Sequence, residues 1–263
     1  MRKYDSSLTR VVPLIDFLRS GSGTDGTWVQ AMVDTAQFGR RVRVPPQLEL
    51  NEIMYGDGHA GDSTGEKKLS PPRSLLEWLI RNPSPPQNGE WGTSEETVAK
   101  RKSLLEGTES TINEAMGGLD RWNGGAAWYI LEGNSQPDLF VRTPELVLVV
   151  EAKRTESEPT RRTTWMEVRH QMLRHLDCAV EGYRNLAVIG MMIVEGEAGG
   201  EVPNQYREYC QELLSDEIVN ESLPHRSRSE RERIAGGFAG VTTWQHVCRK
   251  LDVPENVLVD VLP

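Results

Sequence analysis

Residues 146–153 form an almost continuous apolar run that ends with two charged residues. One face of this segment carries Val147, Val149, Glu151 and Lys153, and the other carries Leu146, Leu148, Val150 and Ala152. Because both faces are apolar almost to the end, the pattern predicts a strand that is buried on both sides of a sheet. Burying the charges of Glu151 and Lys153 is costly unless each has a partner. These two residues are therefore candidates for a function.

A second apolar segment, residues 136–142, precedes this strand. The residues between the two segments form a predicted turn, because Pro144 has no N–H group to donate to a strand ladder. The resulting hairpin would bring Asp138 back beside Glu151, which follows 13 positions later in the chain.

Periodicity predicts helices over residues 93–116 and 164–182, and strands over residues 126–132 and 186–195. The second helix is the most clearly amphipathic. Its apolar stripe consists of Trp165, Val168, Met172, Leu176, Ala179 and Tyr183. Gln171 and His175, spaced i and i+4, lie beside the stripe, where they would lean over the strand ends. We expect Gln171 to contact the site, and His175 and His170 to be ordinary polar residues at the helix edge.

The first ninety residues differ in composition from the rest of the chain. Gly, Pro, Ser and Asp are dense over residues 21–26 and 56–72, and residues 83–89 have the composition of a linker. A short helix that ends at Asn82 is predicted before this linker, with an apolar face. That face consists of Leu75, Leu76, Leu79 and Ile80. We therefore predict a loop-rich N-terminal extension over residues 1–90 with one short helix.

The remaining residues, 91–263, are predicted to form one domain. Its core would cover about residues 93–195, followed by helical additions over residues 200–263. Within these additions, patterns typical of helices cover residues 204–219 and begin again near Thr243. The expected fold class is α/β, with a mixed sheet.

Composition narrows the function classes. With 263 residues, 37% of them hydrophobic, the chain can bury a sizeable core. It has no apolar run of roughly 18 residues and no apolar segment at its start, so neither a membrane span nor a secretion signal is expected. Cys178, Cys210 and Cys248 are far apart, which indicates neither a zinc site nor a disulfide framework. A reducing cytoplasm is the expected location.

The net charge of −9 argues against a protein that coats nucleic acid through a broad basic surface. Charge is distributed unevenly, however, because residues 151–175 contain six Lys and Arg against four Glu. Next to this local cationic excess, Asp138 and Glu151 would repel one another unless a divalent cation lay between them. Carboxylate oxygens suit Mg²⁺ or Mn²⁺, and Lys153 could position a water and offset charge that develops on a phosphate.

The residues Pro137-Asp138 followed by Glu151-Ala152-Lys153 resemble the signature of the PD-(D/E)XK, or restriction-endonuclease-like, nuclease superfamily. The order of the predicted elements is similar to the αβββαβ core of that family. The resemblance implies a nuclease in which Asp138, Glu151 and the backbone carbonyl of Ala152 hold one or two Mg²⁺ or Mn²⁺ ions. It also implies that Lys153 assists the attacking water.

The family often adds an acidic residue from the helix before the core, and here three candidates stand open. Glu109 falls within the apolar stripe of the predicted helix 93–116, which favours it. If Gly107 breaks this helix, Glu114 is an equal candidate, and Glu132 at the end of the predicted first strand is the third. Gln171 matches the first residue of a Q-x-x-x-Y pattern found in exonuclease-like branches, but His175 stands where the Tyr is expected.

Two functions follow from this reading of the sequence. The first is a Mg²⁺-dependent deoxyribonuclease that acts in restriction, repair or defence, without a membrane partner. A homodimer would suit cleavage of both strands of a duplex. The second is a nuclease-like fold that serves as a non-catalytic binding or assembly module. The two would be discriminated by whether Asp138, Glu151 and Lys153 converge on one point.

Overall fold

Six strands form one mixed sheet in the computed structural model, which describes residues 6–22, 26–44, 49–56, 65–156 and 159–258. In chain order the strands are β1 (Gln37–Phe38), β2 (Glu52–Tyr55), β3 (Leu139–Arg142), β4 (Leu146–Lys153), β5 (Ala187–Val194) and β6 (Phe238–Thr243). Across the sheet their order is β1-β6-β5-β4-β3-β2. The fold is therefore α/β with a mixed sheet, as expected.

Strand direction changes at the centre of the sheet. β2, β3 and β4 are antiparallel neighbours, whereas β4, β5 and β6 are parallel, and β1 is antiparallel to β6. The predicted hairpin of β3 and β4 is confirmed, with Leu139 paired to Val150. Parallel neighbours require a crossover connection, and helices supply it between β4 and β5 and between β5 and β6.

Helices cover both faces of the sheet. Those in the described residues are α1 (Val12–Ser22), α2 (Thr27–Val33), α3 (Arg73–Arg81), α4 (Glu95–Leu105), α5 (Glu109–Leu119), α6 (Gln171–Gly182), α7 (Asn204–Leu213), α8 (Asp216–Ser222), α9 (Arg228–Gly236) and α10 (Trp244–Lys250). A π-helical turn, Ser7–Val11, leads into α1, and a 3₁₀ turn, Glu255–Val257, follows α10. No helix among these residues is both long and apolar enough to cross a membrane.

The sheet separates two hydrophobic cores, and β4 contributes to both. Leu148 and Val150 pack on one side with α1, α2 and α10, while Val147 and Val149 pack on the other with α6 to α9. The predicted two-sided burial of this strand is therefore confirmed. Each fully buried aliphatic side chain contributes about 1.5–3 kcal/mol, so the end of β4 is held in a fixed position.

A third core lies in a helical insert between β2 and β3. It is formed by apolar residues of α3, α4 and α5 together with Trp165 and Met166 from the segment before α6. The predicted apolar face of α3 is buried here, as expected. The insert therefore packs mainly on itself and on one connecting segment instead of extending the sheet cores.

Three predicted elements differ from the observed ones. Residues 126–132 form no strand, because they pack in the insert core, where the Tyr129 hydroxyl donates to the Gly118 carbonyl at 3.2 Å. The predicted helix over 93–116 is two helices, since Gly107 adopts φ +74 between α4 and α5. The predicted helix over 164–182 begins only at Gln171, and Trp165 packs in the insert core.

The description of residues 1–90 as loop-rich with one short helix is also corrected. This segment contains α1, α2 and α3, and its strands β1 and β2 form the two edges of the sheet. The C-terminal part, expected to be helical, contributes β6 as well. The predicted linker has no helix or strand, but it docks on the segment before α6 through a Ser84 Oγ–Trp165 O hydrogen bond of 2.8 Å. Parts of the two Gly-rich stretches, residues 23–25 and 57–64, lie outside the described residues.

Candidate active site

Glu151 and Lys153 lie at the carboxyl end of β4, on the face that α6 covers. Because side chains alternate along a strand, both point to the same side as Val147 and Val149. The Lys153 Nζ lies 2.7 Å from the Glu151 Oε1, and the two side chains are only 12% and 5% exposed. The expected pair is therefore present, buried and in direct contact.

Two residues of α6 complete the hydrogen bonds of the Glu151 carboxylate. The Gln171 Nε2 donates to Oε1 at 2.7 Å, and the His175 Nε2 lies 2.7 Å from Oε2. Residues four apart share one face of a helix, so both reach the end of β4 from the first turn and the start of the second. The His175 Nδ1 in turn lies 2.6 Å from the Ser135 Oγ. Ser135, His175 and Glu151 thus form one buried hydrogen-bonded chain.

Asp138 enters the site from the residue before β3. The β3–β4 register brings it level with Glu151, and its Oδ2 accepts a hydrogen bond from the Ala152 N–H at 2.7 Å. Burial and the neighbouring charge of Glu151 raise the pKa of Asp138 well above its usual range, against the opposing influence of the Ala152 N–H and Lys153. The charge of Glu66 raises the same pKa further. The carboxylates of Asp138 and Glu151 therefore repel one another in the site.

The surroundings of Glu151 and of Lys153 favour the ionised form of each side chain. Burial opposes the charge of Glu151, but the hydrogen bond and charge of His175 and the charge of Lys153 outweigh it and lower the pKa of Glu151. Burial also opposes the charge of Lys153, but Glu151 and Asp138 raise its pKa. Lys153 therefore carries a full positive charge beside an ionised Glu151 at neutral pH.

The oxygen atoms of this site suit a hard divalent cation. Within the described residues, no three His, Cys, Asp or Glu side chains are arranged to hold a metal ion together. Asp138 and Glu151 with the carbonyl of Ala152 nevertheless offer three oxygen donors, and Mg²⁺ usually takes one or two carboxylates and keeps waters for the rest. The Ala152 carbonyl also accepts from the Ser6 hydroxyl at 3.1 Å, which leaves a second lone pair. The Gln171 Oε1 is buried with no hydrogen-bond partner in the described structure, so it is a spare acceptor next to Glu151.

None of the three candidates for an extra acidic residue joins this group. Glu109 is exposed in the first turn of α5, and Glu114 pairs with Lys100 at 2.7 Å. Both belong to the helical insert, which has its own core, so the preference for Glu109 is wrong. The preference for Glu109 was based on an apolar stripe along one continuous helix. The chain instead forms two helices that are separated at Gly107.

Glu132 is buried, but in a second group of charges that we call the Arg169 cluster: Glu132, Arg169, Asp177 and Arg226. The Arg169 Nη2 lies 2.8 Å from Glu132 and 2.9 Å from Asp177, and the Arg226 Nε lies 2.8 Å from Asp177. Burial alone would raise the pKa of Asp177, but Arg169, His225 and Arg226 hold it well below its usual range. Each carboxylate of this cluster therefore faces a guanidinium.

His175 is the functional residue that the sequence interpretation missed. We expected it to be an ordinary polar residue at the helix edge, yet it is 2% exposed and bonds directly to Glu151. Its i+4 spacing from Gln171 was the signal in the sequence. His170, by contrast, stacks on Tyr209 with ring centroids 5.1 Å apart. We name Asp138, Glu151, Lys153, Gln171 and His175 the Glu151 cluster.

Comparison with family models, with curated proteins and with solved structures finds no match to this chain. The geometry of the site is therefore the basis for inferring its function.

Proposed function

We propose that the protein is a divalent-metal-dependent nuclease that hydrolyses phosphodiester bonds of DNA. The observation that carries this proposal is the convergence of Asp138, Glu151 and Lys153 at the end of a buried strand, with Gln171 and His175 directed at the same carboxylate. Charges that are desolvated in this way are typical of functional sites.

The topology supports the same proposal. When α2 and β1, which lie between α1 and β2, are left aside, the elements α1, β2, β3, β4, α6 and β5 have the order helix, three strands, helix and strand, which is the order of the PD-(D/E)XK core. Here α1 and β2 stand in the places that the sequence interpretation gave to residues 93–116 and 126–132. The helical insert then separates β2 from β3. On this view the candidate catalytic residues occupy the positions that the family signature implies.

The side chains have separate tasks in this mechanism. Asp138, Glu151 and the Ala152 carbonyl would hold Mg²⁺ or Mn²⁺, which supplies Lewis-acid polarisation of a phosphate oxygen when it is bound. Lys153 orients the attacking water and offsets negative charge that develops on the phosphate. The unpartnered Gln171 Oε1 accepts a hydrogen bond from that water. His175, held by Ser135, keeps the Glu151 carboxylate in a fixed orientation.

DNA is the substrate we favour, and the surroundings of the site support a polyanion. Arg169 is buried and paired with Glu132 and Asp177, but the other five Lys and Arg of residues 151–175 are candidate phosphate contacts in a chain whose net charge is −9. Phosphate contacts of this kind position a nucleic acid without reading its sequence. The three cysteines in the described residues are free and buried, which is consistent with action in a reducing cytoplasm.

Cleavage of DNA by the purified protein tests the proposal. Supercoiled plasmid, linear duplex and single-stranded DNA are incubated with Mg²⁺, Mn²⁺ or EDTA, and the products are separated by size. We expect metal-dependent cutting that Lys153→Ala lowers by about 100-fold or more, since loss of one group that stabilises developing charge has an effect of this size. Lys250→Ala, which removes an exposed lysine of α10, is the matched control and should cut like the parent protein.

One observation favours a second candidate, the non-catalytic binding module. Both oxygens of Glu151 already have protein partners, Lys153 and Gln171 at one and His175 at the other. A protein that binds DNA tightly but leaves every substrate intact with either metal would support this alternative and contradict the nuclease.

A further inference from the structure

A cavity of about 500 Å³ lies between the helical insert and the segment that precedes α6. Residues of the predicted linker, the end of the insert, residues 162–165 and Arg174 of α6 line it. None of the proposed catalytic residues lines this cavity. Pockets that hold single small ligands commonly have volumes of about 300–1,000 Å³, so its size suits one such group.

The walls of the cavity are fixed by hydrogen bonds. The Gln87 N–H donates to the Thr164 carbonyl at 2.7 Å, and the Thr163 N–H donates to the Met166 carbonyl at 3.0 Å. Arg174 donates from one nitrogen to the carbonyls of Gly133 and Asn134, at 2.9 and 2.8 Å. The cavity is therefore built before any ligand arrives, which lowers the entropic cost of binding.

The charge around the cavity favours an anion. Arg162 is exposed, and it forms no side-chain hydrogen bond or ion pair with any residue that the structure describes. Glu132, the acidic residue of the lining, is already paired through both oxygens with Arg169. The Thr163 hydroxyl is buried in the wall without a hydrogen-bond partner among the described residues. An unpaired guanidinium beside spare polar groups is well suited to a phosphate.

The cavity is adjacent to the Glu151 cluster. Arg174 and His175 are consecutive residues of α6, one in the cavity wall and the other bonded to Glu151. The short segment from Glu132 to Ser135 also links the cavity to the Glu151 cluster, because Gly133 lines the cavity and Ser135 contacts His175. A nucleic-acid chain that runs from Glu151 along this segment would reach the cavity with a neighbouring nucleotide.

We propose that this cavity binds one unpaired nucleotide of the substrate, with its phosphate on Arg162 and its base beside Trp165. The proposal rests on the nuclease function and narrows its substrate class. A cavity of this volume holds one nucleotide but not a base pair with two backbones, so the protein prefers single-stranded DNA, or a strand end that has separated, over an intact duplex.

Binding measured without cleavage tests this proposal. The affinity of the protein for a fluorescein-labelled single-stranded oligodeoxynucleotide, and for the duplex of the same sequence, is measured by anisotropy in EDTA. We expect tighter binding of the single strand, and about a tenfold loss in Arg162→Ala, the size typical of one charge-assisted hydrogen bond. Arg121→Ala, which removes an exposed charge elsewhere on the insert, should bind like the parent protein.

A second variant adds bulk at the cavity wall without changing its charge. A Cβ built at Gly133 meets no atom within 4 Å, so Gly133→Leu should fold, with an unchanged melting temperature, and yet weaken single-strand binding about tenfold. If Arg162→Ala and Gly133→Leu both bind the single strand like the parent protein, or if the parent binds no single strand, the proposal is overturned. Metal-dependent cleavage by the parent protein is scored separately, so failure of this proposal is distinguishable from failure of the nuclease function.

Discussion

The Arg169 cluster and the Glu151 cluster are both buried groups of charge, and α6 contributes to each. In the Arg169 cluster two carboxylates face two guanidinium groups, and Arg169 also donates to the Ser222 carbonyl at 2.9 Å. In the Glu151 cluster two carboxylates share one lysine, and the Oδ2 of Asp138 accepts only the Ala152 N–H among the hydrogen bonds observed for the described residues.

The two clusters differ in whether the protein itself supplies a full counter-charge for each carboxylate. A buried ion pair that is complete is tolerated as part of the fold, although it adds little net stability over an apolar core. A half-buried carboxylate without a full counter-charge lowers stability, and the direction in which the pKa of Asp138 is raised agrees with such a penalty. We infer that the Glu151 cluster is completed by a ligand, whereas the Arg169 cluster is complete in the protein itself.

The largest expected effect on stability is in the Arg169 cluster. Arg169→Ala leaves the carboxylates of Glu132 and Asp177 buried without their main partner, and loss of one member of such a group typically lowers the free energy of unfolding by about 3–5 kcal/mol. Denaturation by urea, followed by circular dichroism, measures the change. Arg228→Ala removes a guanidinium that is 89% exposed and paired with Glu232 on the surface, and it should leave the midpoint unchanged. An Arg169 variant as stable as the parent protein would contradict the structural assignment of this cluster.

The opposite sign is expected in the Glu151 cluster. Asp138→Asn keeps an acceptor for the Ala152 N–H but removes the repulsion with Glu151. It should therefore raise the free energy of unfolding in EDTA at neutral pH by about 1–2 kcal/mol, the range of typical stabilising substitutions. The same variant should lose metal-dependent cleavage. A destabilised Asp138→Asn protein would show that the carboxylate is part of the structural framework.

The pH dependence of this stabilisation has a definite sign. Because the pKa of Asp138 is raised in the folded protein, the folded state binds the extra proton, and stability falls as the pH rises through the folded pKa. Below the ordinary value of 3.8 the carboxyl is protonated in both states. The advantage of Asp138→Asn should therefore be greatest at neutral pH and disappear as the pH approaches 3.8. Melting temperatures of both proteins across this range measure it, and a constant difference would contradict the account.

The smallest expected effect is at Ser135. Ser135→Ala removes one hydrogen bond to His175 and should lower the free energy of unfolding by about 1 kcal/mol. Because His175 then holds Glu151 less firmly, cleavage should fall too, but by less than in Lys153→Ala. Ser20→Ala, at an exposed hydroxyl that bonds only to its own helix, is the control. Cleavage unchanged in Ser135→Ala would show that the imidazole needs no support.

Short-range patterns predicted the part of the fold around the site. The two strand faces read onto residues 146–153 identified β4, an apolar run identified β5, and Pro144 placed the turn that brings Asp138 to Glu151. The assignment of Glu151 and Lys153 to one face followed from the two-residue period of a strand. These features depend on neighbours in the sequence, so the sequence alone was sufficient for them.

Features that depend on distant residues were not predictable in the same way. Residues 126–132 have an apolar pattern, but which surface they cover depends on the helices of the insert. The edge strands β1 and β2 are short and lie close to Gly- and Pro-rich stretches. The role of Glu132 depends on Arg169, 37 positions later. No local pattern contains these partners.

The location of bound Mn²⁺ in crystals of the protein, found by anomalous scattering, tests the central claim most directly. We expect a peak about 2.0–2.6 Å from oxygen atoms of Asp138, Glu151 and the Ala152 carbonyl, and no peak at the Arg169 cluster. Crystals in which Mn²⁺ is absent from Asp138 and Glu151 at saturating concentration, with the bonds of Lys153, Gln171 and His175 to Glu151 unchanged, would contradict that claim. The Glu151 cluster would then be as complete, and as structural, as the Arg169 cluster.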